Sequence, residues 1–192
     1  MELVAGQTPL DEDELAGLIP ALTTRAELNA FEQSNIYDAA VWAHKSRTLK
    51  KDLLSVKSLT LLHSKMFNKT WRWAGQFRQT AKNIGVEVHD VQNQLGQLIG
   101  NANYWLDNET FSMTEIAIRV HHKLVWIHLF PNGNGRHARL VADLLLHFKN
   151  QPSLSWGGAS LDLEGTTRNQ YLAALKSADL GNLNPLLSFA TQ

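Results

Sequence analysis

The sequence predicts an all-α fold of six to eight helices with one β-hairpin flap. Along most of the chain the apolar residues recur at intervals of three and four, which is the period of an amphipathic helix. Only one short stretch, residues 78–89, alternates apolar and polar residues as a half-buried strand does. A single hairpin is too small to form a sheet with its own core, so helices must bury the apolar surface.

Seven helices follow from the apolar stripes and their caps. The clearest begins after Thr24, because Thr24 and Glu27 match a capping box, in which two side chains satisfy N–H groups at the helix start. Ser55 or Ser58 is the expected cap of the next helix. The predicted helices cover approximately residues 24–44, 55–66, 90–105, 114–128, 135–148, 167–178 and 185–190.

The first 22 residues carry no comparable pattern. Pro9, Gly17 and Pro20 interrupt them, which predicts an extended or short-helical arm over residues 1–22. Residues 23–192 are expected to form the domain to which this arm is attached.

Composition excludes several classes of function. Lys and Arg total 18, as do Asp and Glu, so no overall field attracts nucleic acid or an acidic membrane. There is no cysteine, which excludes disulfides, thiolate metal sites and a cysteine nucleophile. No apolar run is long enough to cross a bilayer, and the N-terminal residues are acidic rather than basic as in a signal peptide. A cytoplasmic protein is therefore expected.

The strongest chemical signal is the segment from His128 to Arg139, HLFPNGNGRHAR. Its Gly-Asn-Gly turn stands between two strong helical patterns and therefore presents the start of the second helix, where free N–H groups attract anions. Glycine leaves no Cβ between the backbone and a phosphate oxygen. Arg136 and Arg139 lie three residues apart, and guanidinium groups suit phosphate because they donate two hydrogen bonds at once. His128 precedes the turn and is a candidate general base.

Other interpretations of this turn fit less well. The segment Gly133-x-Gly135-x-x-Ala138 matches the letters of a dinucleotide-binding fingerprint, but no alternation of strands and helices surrounds it. The letters of a phosphate-binding P-loop are absent. A helix–turn–helix that reads DNA is disfavoured by the neutral charge. The plain alternative is a glycine-rich connection between helices, with solvated arginines.

The segment from His128 to Arg139 closely resembles the signature of the Fic family, H-x-F-x-[D/E]-G-N-G-R-x-x-R. Residues 73–78, WAGQFR, are similar to the segment that leads into the flap of that family, and residues 171–185 are similar to its closing helices. The resemblance spans most of residues 24–190. Within the family, the chain looks nearest to the branch called mobile mystery protein B, a companion of a small helix–turn–helix protein.

The resemblance implies an all-α fold with a flap, and transfer of AMP from ATP, with Mg²⁺, to a hydroxyl group of a protein substrate. It implies that His128 removes the proton of that hydroxyl, and that Phe130 anchors the loop in the core. The phosphate-binding residues that it implies are Gly133, Asn134, Gly135, Arg136 and Arg139. The flap residues that it implies for contact with the target are Thr80, Lys82, Ile84, Gly85 and Val86.

One position departs from the family pattern. Asn132 stands where the family has the Asp or Glu that ligates Mg²⁺. An amide oxygen can ligate magnesium but carries no charge, so metal affinity is expected to fall. Three functions therefore stay open: transfer of AMP as the toxin-like member of a two-gene module, transfer of a phosphoryl or other nucleotide group, or weakly catalytic nucleotide binding beside a helix–turn–helix regulator.

Many family members are held inactive by a glutamate that pairs with the second arginine of the signature. Three glutamates are candidates for this role. Glu164 lies in a segment, residues 160–165, that matches the letters of the inhibitory motif but is expected to be a loop. Glu27 matches in part and has a simpler role as a helix cap, and Glu32 lacks the flanking residues.

Overall fold

Nine α-helices form the part of the chain that a computed structural model describes, residues 9–158, 161 and 165–192. They are α1 (Glu12–Leu15), α2 (Arg25–Lys45), α3 (Arg47–Lys51), α4 (Val56–Phe67), α5 (Val91–Asp107), α6 (Met113–Ile127), α7 (Asn134–Phe148), α8 (Thr166–Asp179) and α9 (Asn184–Thr191). Short 3₁₀ turns cover Val88–Asp90 and Trp156–Gly158. The helical fold class is confirmed. The count exceeds the predicted six to eight because α1 and α3, with four and five residues, are too short to show a period.

The predicted starts of α2 and α4 are confirmed by their caps. The Thr24 hydroxyl accepts from the Glu27 N–H at 3.2 Å, and the Glu27 carboxylate accepts from the Thr24 N–H at 2.9 Å, so the capping box of α2 is complete. Ser55 caps α4 by accepting from the N–H of Ser58. Helix α6 begins one residue earlier than predicted because Ser112, not Thr114, is its cap.

The central pair of helices is α6 and α7, which pack along one another. Helix α5 covers α6, the pair α2 and α4 packs on α7, and α8 with α9 closes the other side. Both central helices bury most of their apolar side chains. The turn between them is therefore held at the end of the most buried pair of helices, which positions its functional groups. In the described residues, no helix is both long and apolar enough to span a bilayer.

The predicted β-hairpin does not form as paired strands. Residues 78–87, all described, are bends and irregular backbone without strand pairing. The reason lies in the Arg78 side chain, which donates to the backbone carbonyls of Thr80 and Val86. These carbonyls are therefore bound to a guanidinium group instead of to a neighbouring strand. The segment from Thr80 to Val86 is called the flap below.

The described part of the N-terminal arm is docked onto the domain. Its helix α1 places the carboxylates of Asp11 and Glu14 against Lys82, whose side chain is only 3% exposed. Leu18 forms an isolated antiparallel bridge with Trp71, which continues the attachment along the chain. Ion pairs thus attach the arm to the flap, and backbone hydrogen bonds attach it to the residues around Trp71, which precede the flap.

Candidate functional site

The turn between α6 and α7 is built from two residues with left-handed backbone. His128 ends α6 with φ 59° and ψ 67°, and Gly133 precedes α7 with φ 78°. A Cβ atom on Gly133 would lie 2.5 Å from the Phe67 ring. Both the positive φ and the close approach of Phe67 require glycine at position 133.

Asn134 clamps this turn with its side chain. Its amide oxygen accepts from the Phe130 N–H at 2.9 Å, and its amide nitrogen donates to the Phe130 carbonyl at 2.8 Å. Phe130 itself is completely buried, as expected of a core anchor. The side chain of Asn134 is therefore structural, and its contribution to phosphate binding is limited to the backbone at the start of α7.

His63, which lies on α4, stabilises the turn. The Gly75 N–H donates to its Nδ1 over an N···N distance of 3.0 Å. Because Nδ1 accepts a hydrogen bond, the ring proton is on Nε2. That Nε2–H donates to the Asn132 carbonyl at 3.0 Å. The imidazole also stacks on the Phe130 ring, with centroids 3.6 Å apart. His63 therefore connects α4, the segment before the flap and the turn.

His128 has the character of a neutral base. Burial, together with the nearby charge of Arg78, lowers the pKa of its imidazole to about 4, against a backbone hydrogen bond with Val125 that raises it. At neutral pH the ring is uncharged and able to accept a proton. A general base must be in this state, and the predicted catalytic histidine meets that requirement.

A cavity of ≈ 830 Å³ opens beside His128 and is lined by the start of α7, α8, α2, the flap and the arm. Its volume is in the range of small-molecule sites. Arg136 and Arg139 both line it, and their guanidinium groups lie near different aromatic rings. The Arg136 guanidinium lies 5.0 Å from the centroid of Phe67, and that of Arg139 lies 5.8 Å from the centroid of Tyr171.

Gly135 lines this cavity at the start of α7, near Arg139. A Cβ atom there would lie 3.8 Å from the Arg139 guanidinium and 3.9 Å from the Tyr171 hydroxyl. These are ordinary contact distances, so glycine is not needed for the fold at this position. Its effect is to leave the backbone at the start of α7 open toward the cavity, as a phosphate site requires.

Glu32 is the candidate inhibitory glutamate that the structure brings to the site. Its carboxylate, on a residue 3% exposed, accepts from Arg136 at 2.7 Å and from the Trp71 indole N–H at 2.6 Å. Its partner is the first arginine of the motif, whereas the family pattern predicted the second. Glu27 instead caps α2 and does not contact either arginine, and Glu164 lies outside the described residues.

The five flap residues divide into two groups. Gly85 lies on His128, the predicted general base, since a Cβ atom there would be 2.6 Å from the His128 Cβ, and Ile84 also lines the cavity. The Val86 N–H donates to the Ile127 carbonyl at 3.4 Å. Thr80 and Lys82 bind the carboxylates of Asp11 and Glu14 in the arm. The arm therefore covers the Lys82 side chain and binds the hydroxyl of Thr80, which itself stays exposed; both residues were predicted to contact a target.

Asn132 does not provide a complete metal site. Its side-chain oxygen accepts from the Gly133 N–H at 2.6 Å. Among the described residues, no cluster of three His, Cys, Asp or Glu side chains could hold a metal ion. Protein sites for Mg²⁺ usually contain at least one carboxylate, so the residues present do not fit a resident magnesium site.

Three functional residues were missed from the sequence, and all act through tertiary contacts. His63, Arg78 and Tyr171 each belong to a segment with an ordinary helical or loop pattern. Tyr171 lies at the cavity wall and hydrogen-bonds to His121 at 3.0 Å, and burial raises the pKa of its phenol. Arg78 and Tyr171 stood in segments that the family resemblance had marked, but neither had been given a role.

Four of the five buried histidines, all except His122, have a strongly lowered pKa, which predicts that acid destabilises the protein. Burial lowers the pKa to about 3 for His121, to about 4 for His128 and His137, and well below its usual value for His63. The unfolded chain takes up these protons near pH 6.5, so stability is intact above that pH and falls as the pH drops toward about 4. Each histidine contributes about 1.4 kcal/mol per pH unit in this window, as an upper bound. Asp143, whose pKa burial raises to about 6, acts in the opposite direction.

We therefore expect the urea midpoint of unfolding to be clearly lower at pH 5 than at pH 7. The measurement is a pair of urea titrations followed by circular dichroism. Equal midpoints at the two pH values would contradict the assignment of four neutral buried histidines.

Comparison with known proteins gives a consistent result. Residues 53–146 match the model described as the Fic/DOC family. "Protein adenylyltransferase fic-1" of Caenorhabditis elegans is 30% identical over 149 residues, which cover 73% of this chain and 27% of that relative. "Protein adenylyltransferase Fic" of Nematostella vectensis is 26% identical over 193 residues, which cover 98% of this chain and 39% of that relative.

A solved structure of Fic-1 (residues 134–508) from C. elegans has the same fold. It superposes with a TM-score of 0.68 at 27% identity, covering 92% of this chain and 51% of that one. The chain thus spans only 27% and 39% of the two curated relatives, so their similarity concerns one part of longer proteins.

Proposed function

We propose that this protein transfers AMP from ATP to a Ser, Thr or Tyr hydroxyl of a target protein. The premise is that residues 53–146 form a Fic/DOC family domain. The observation that carries the proposal is one cavity shared by a neutral buried histidine and a helix start with two arginines. Relatives that span 73% and 98% of this chain are named protein adenylyltransferases, which supports the same activity.

In this proposal His128 takes the proton of the target hydroxyl, and the oxygen then attacks the α-phosphorus of ATP. The bond from the α-phosphorus to the bridging oxygen breaks, and pyrophosphate leaves with both electrons. The backbone from Gly133 to Gly135 and the guanidinium groups of Arg136 and Arg139 stabilise the charge on the phosphates. Because these groups are already in place, the transfer needs positioning and electrostatics rather than a covalent enzyme intermediate.

A target polypeptide would approach His128 across the flap. Ile84 is 44% exposed and Gly85 lies on His128, so this part of the flap is open to a target. Main-chain pairing between an extended target and the flap is a common mode of peptide recognition. The carbonyls of Thr80 and Val86 already accept from Arg78, so pairing would use the residues between them.

Labelled ATP separates this function from the alternatives. Transfer of AMP incorporates label from the α-position alone, whereas phosphoryl transfer incorporates label from the γ-position alone. Nucleotide binding without either label would support a binding role. Phosphoryl transfer has one specific observation in its favour, which is the uncharged Asn132 at the position of the family's metal ligand.

Replacing Asn132 with aspartate should make the reaction respond to lower Mg²⁺ concentrations. Magnesium is proposed to enter with the phosphates of ATP, and an added carboxylate is worth at least about 1 kcal/mol to a nearby cation, or about fivefold in affinity. The measurement is the Mg²⁺ concentration that gives half-maximal label, with Asn93→Asp on the exposed face of α5 as the matched control. An unchanged half-maximal concentration would show that position 132 does not face the metal.

The finer family placement also belongs to this proposal. The nearest branch is taken to be mobile mystery protein B, with a small helix–turn–helix protein as partner and a toxin-like role in the cytoplasm. The support is the sequence resemblance. Co-purification of the chain with the product of an adjacent gene that encodes such a protein tests it, and the absence of a complex would remove the partner.

A further inference from the structure

Arg78 is a buried guanidinium group that lies between the flap and the turn. Its residue is 2% exposed. Its Nε–H donates to the His128 carbonyl at 2.6 Å, one terminal nitrogen donates to the Thr80 carbonyl at 3.1 Å, and the other donates to the Val86 carbonyl. One side chain thus binds the catalytic residue and both ends of the flap.

The three acceptors are backbone carbonyls, which makes the arrangement unusual for a buried charge. Burying a guanidinium group without an ion pair is unfavourable, and burial lowers the pKa of Arg78, partly offset by the more distant charge of Glu87. A charged donor that replaces its water with three carbonyls in fixed directions retains most of its hydrogen bonds. Arg is suited to this because its planar fork sets those directions at once.

The carbonyl that Nε–H binds belongs to a residue in a strained conformation. His128 has φ 59°, which is unfavourable for a residue with a side chain and must be held by its surroundings. Backbone contacts reinforce the same link, because the Arg78 N–H donates to the Leu129 carbonyl at 2.9 Å. Gly85 completes the arrangement by contact with the His128 Cβ.

We propose that Arg78 is a positioning residue for the transfer reaction, which holds the His128 backbone and the two ends of the flap in a fixed relation. The inference rests on the proposed function for its catalytic consequence. Its structural content, the link from guanidinium to flap and histidine, is testable without any activity.

Two substitutions separate the fixed hydrogen-bond geometry of the guanidinium group from its positive charge. Arg78→Met removes both, and Arg78→Lys keeps the charge but cannot donate to three carbonyls in fixed directions. We expect kcat with a target protein to fall about 100-fold in both variants, since a displacement of about 1 Å of a catalytic group has that effect. The Kd for ATP should stay unchanged, because the groups proposed to bind phosphate are the start of α7, Arg136 and Arg139. Arg72→Met is the matched control, since Arg72 lies exposed six residues earlier.

An NMR titration of the His128 ring gives a readout that does not depend on activity. Its pKa should rise in Arg78→Met, because a nearby positive charge is removed, and should stay low in Arg78→Lys. Amide hydrogen exchange at Val86 should accelerate in both variants, because the flap loses its attachment. The ring of His137, whose pKa is lowered by burial and not by the Arg78 charge, serves as the internal reference and should not change.

The outcomes distinguish the two levels of the proposal. Wild-type turnover in Arg78→Lys, or unchanged exchange at Val86 in both variants, would overturn the positioning role. Equal losses of ATP binding and turnover would also overturn it, since they would indicate general unfolding. A wild-type protein that never transfers label would remove the proposed function alone, and the titration and exchange data would still decide whether Arg78 holds His128 and the flap.

Discussion

Replacing Glu32 with glycine should raise the incorporation of α-label by roughly ten- to hundredfold, because hydrogen bonds to charged groups contribute about 1.5–3 kcal/mol. In the structure the Glu32 carboxylate binds Arg136 at 2.7 Å, and a phosphate group that approaches Arg136 must displace it. The carboxylate also adds a negative charge at the edge of a site proposed to bind phosphates. Removing it frees the guanidinium for the nucleotide.

Two further variants make this test specific. Glu32→Gln removes the charge but can still accept from the Trp71 indole, so it should raise the label without the loss of packing expected for glycine. Glu27→Gly is the matched control on the same helix, since Glu27 is exposed and only caps α2. Labelling that stays at the wild-type level in both Glu32 variants would exclude autoinhibition by this residue. A rise in the Glu27 variant would indicate that the position of α2, rather than the Arg136 contact, controls the site.

Replacing His128 with alanine should reduce transfer by about 10²–10⁴-fold while ATP binding persists, since general base catalysis contributes that much. The loss follows from removal of the neutral imidazole that is proposed to accept the hydroxyl proton. Single-turnover labelling at pH 7 gives the rate, and a fluorescent ATP analogue gives the binding. His89→Ala is the control, because His89 is exposed.

The pH dependence provides a second check on His128. With its pKa lowered to about 4, the ring stays in the basic form between pH 7 and pH 5, so the rate should show no decrease near pH 6.5. This range is usable only where the fold is intact, which circular dichroism at each pH establishes. A His128→Ala variant with the wild-type rate would remove the base from the proposed mechanism.

The helices and their caps were predictable because they depend on neighbours in the sequence. Thr24 and Glu27 are three residues apart, and their hydrogen bonds form as soon as the helix does. The phosphate-directed turn was predictable for the same reason, since His128, the glycines and both arginines lie within twelve residues. All of them line the same cavity.

The flap was only partly predictable from its sequence. Alternating Ile84, Val86 and Val88 around Gly85 indicate extended backbone, but they do not determine what the backbone carbonyls bind. Arg78 takes two of these carbonyls, so no strand pairing forms among the described residues of this segment. The contact of Thr80 and Lys82 with α1 was equally invisible, because about 70 residues separate them.

The sequence by itself determined the helical class, the helix caps and the grouping of His128, Gly133, Gly135 and the two arginines. Those features arise from hydrogen bonds and backbone conformation within a few consecutive residues. Contacts over so short a distance cost little chain entropy, so they form in nearly the same way in any fold. Only the tertiary structure decided that Glu32 binds Arg136, 104 positions along the chain, and that Arg78 binds the carbonyl of His128, 50 positions along. Such contacts depend on how the helices pack. Burial then sets the protonation states of these groups and the strength of their hydrogen bonds and ion pairs.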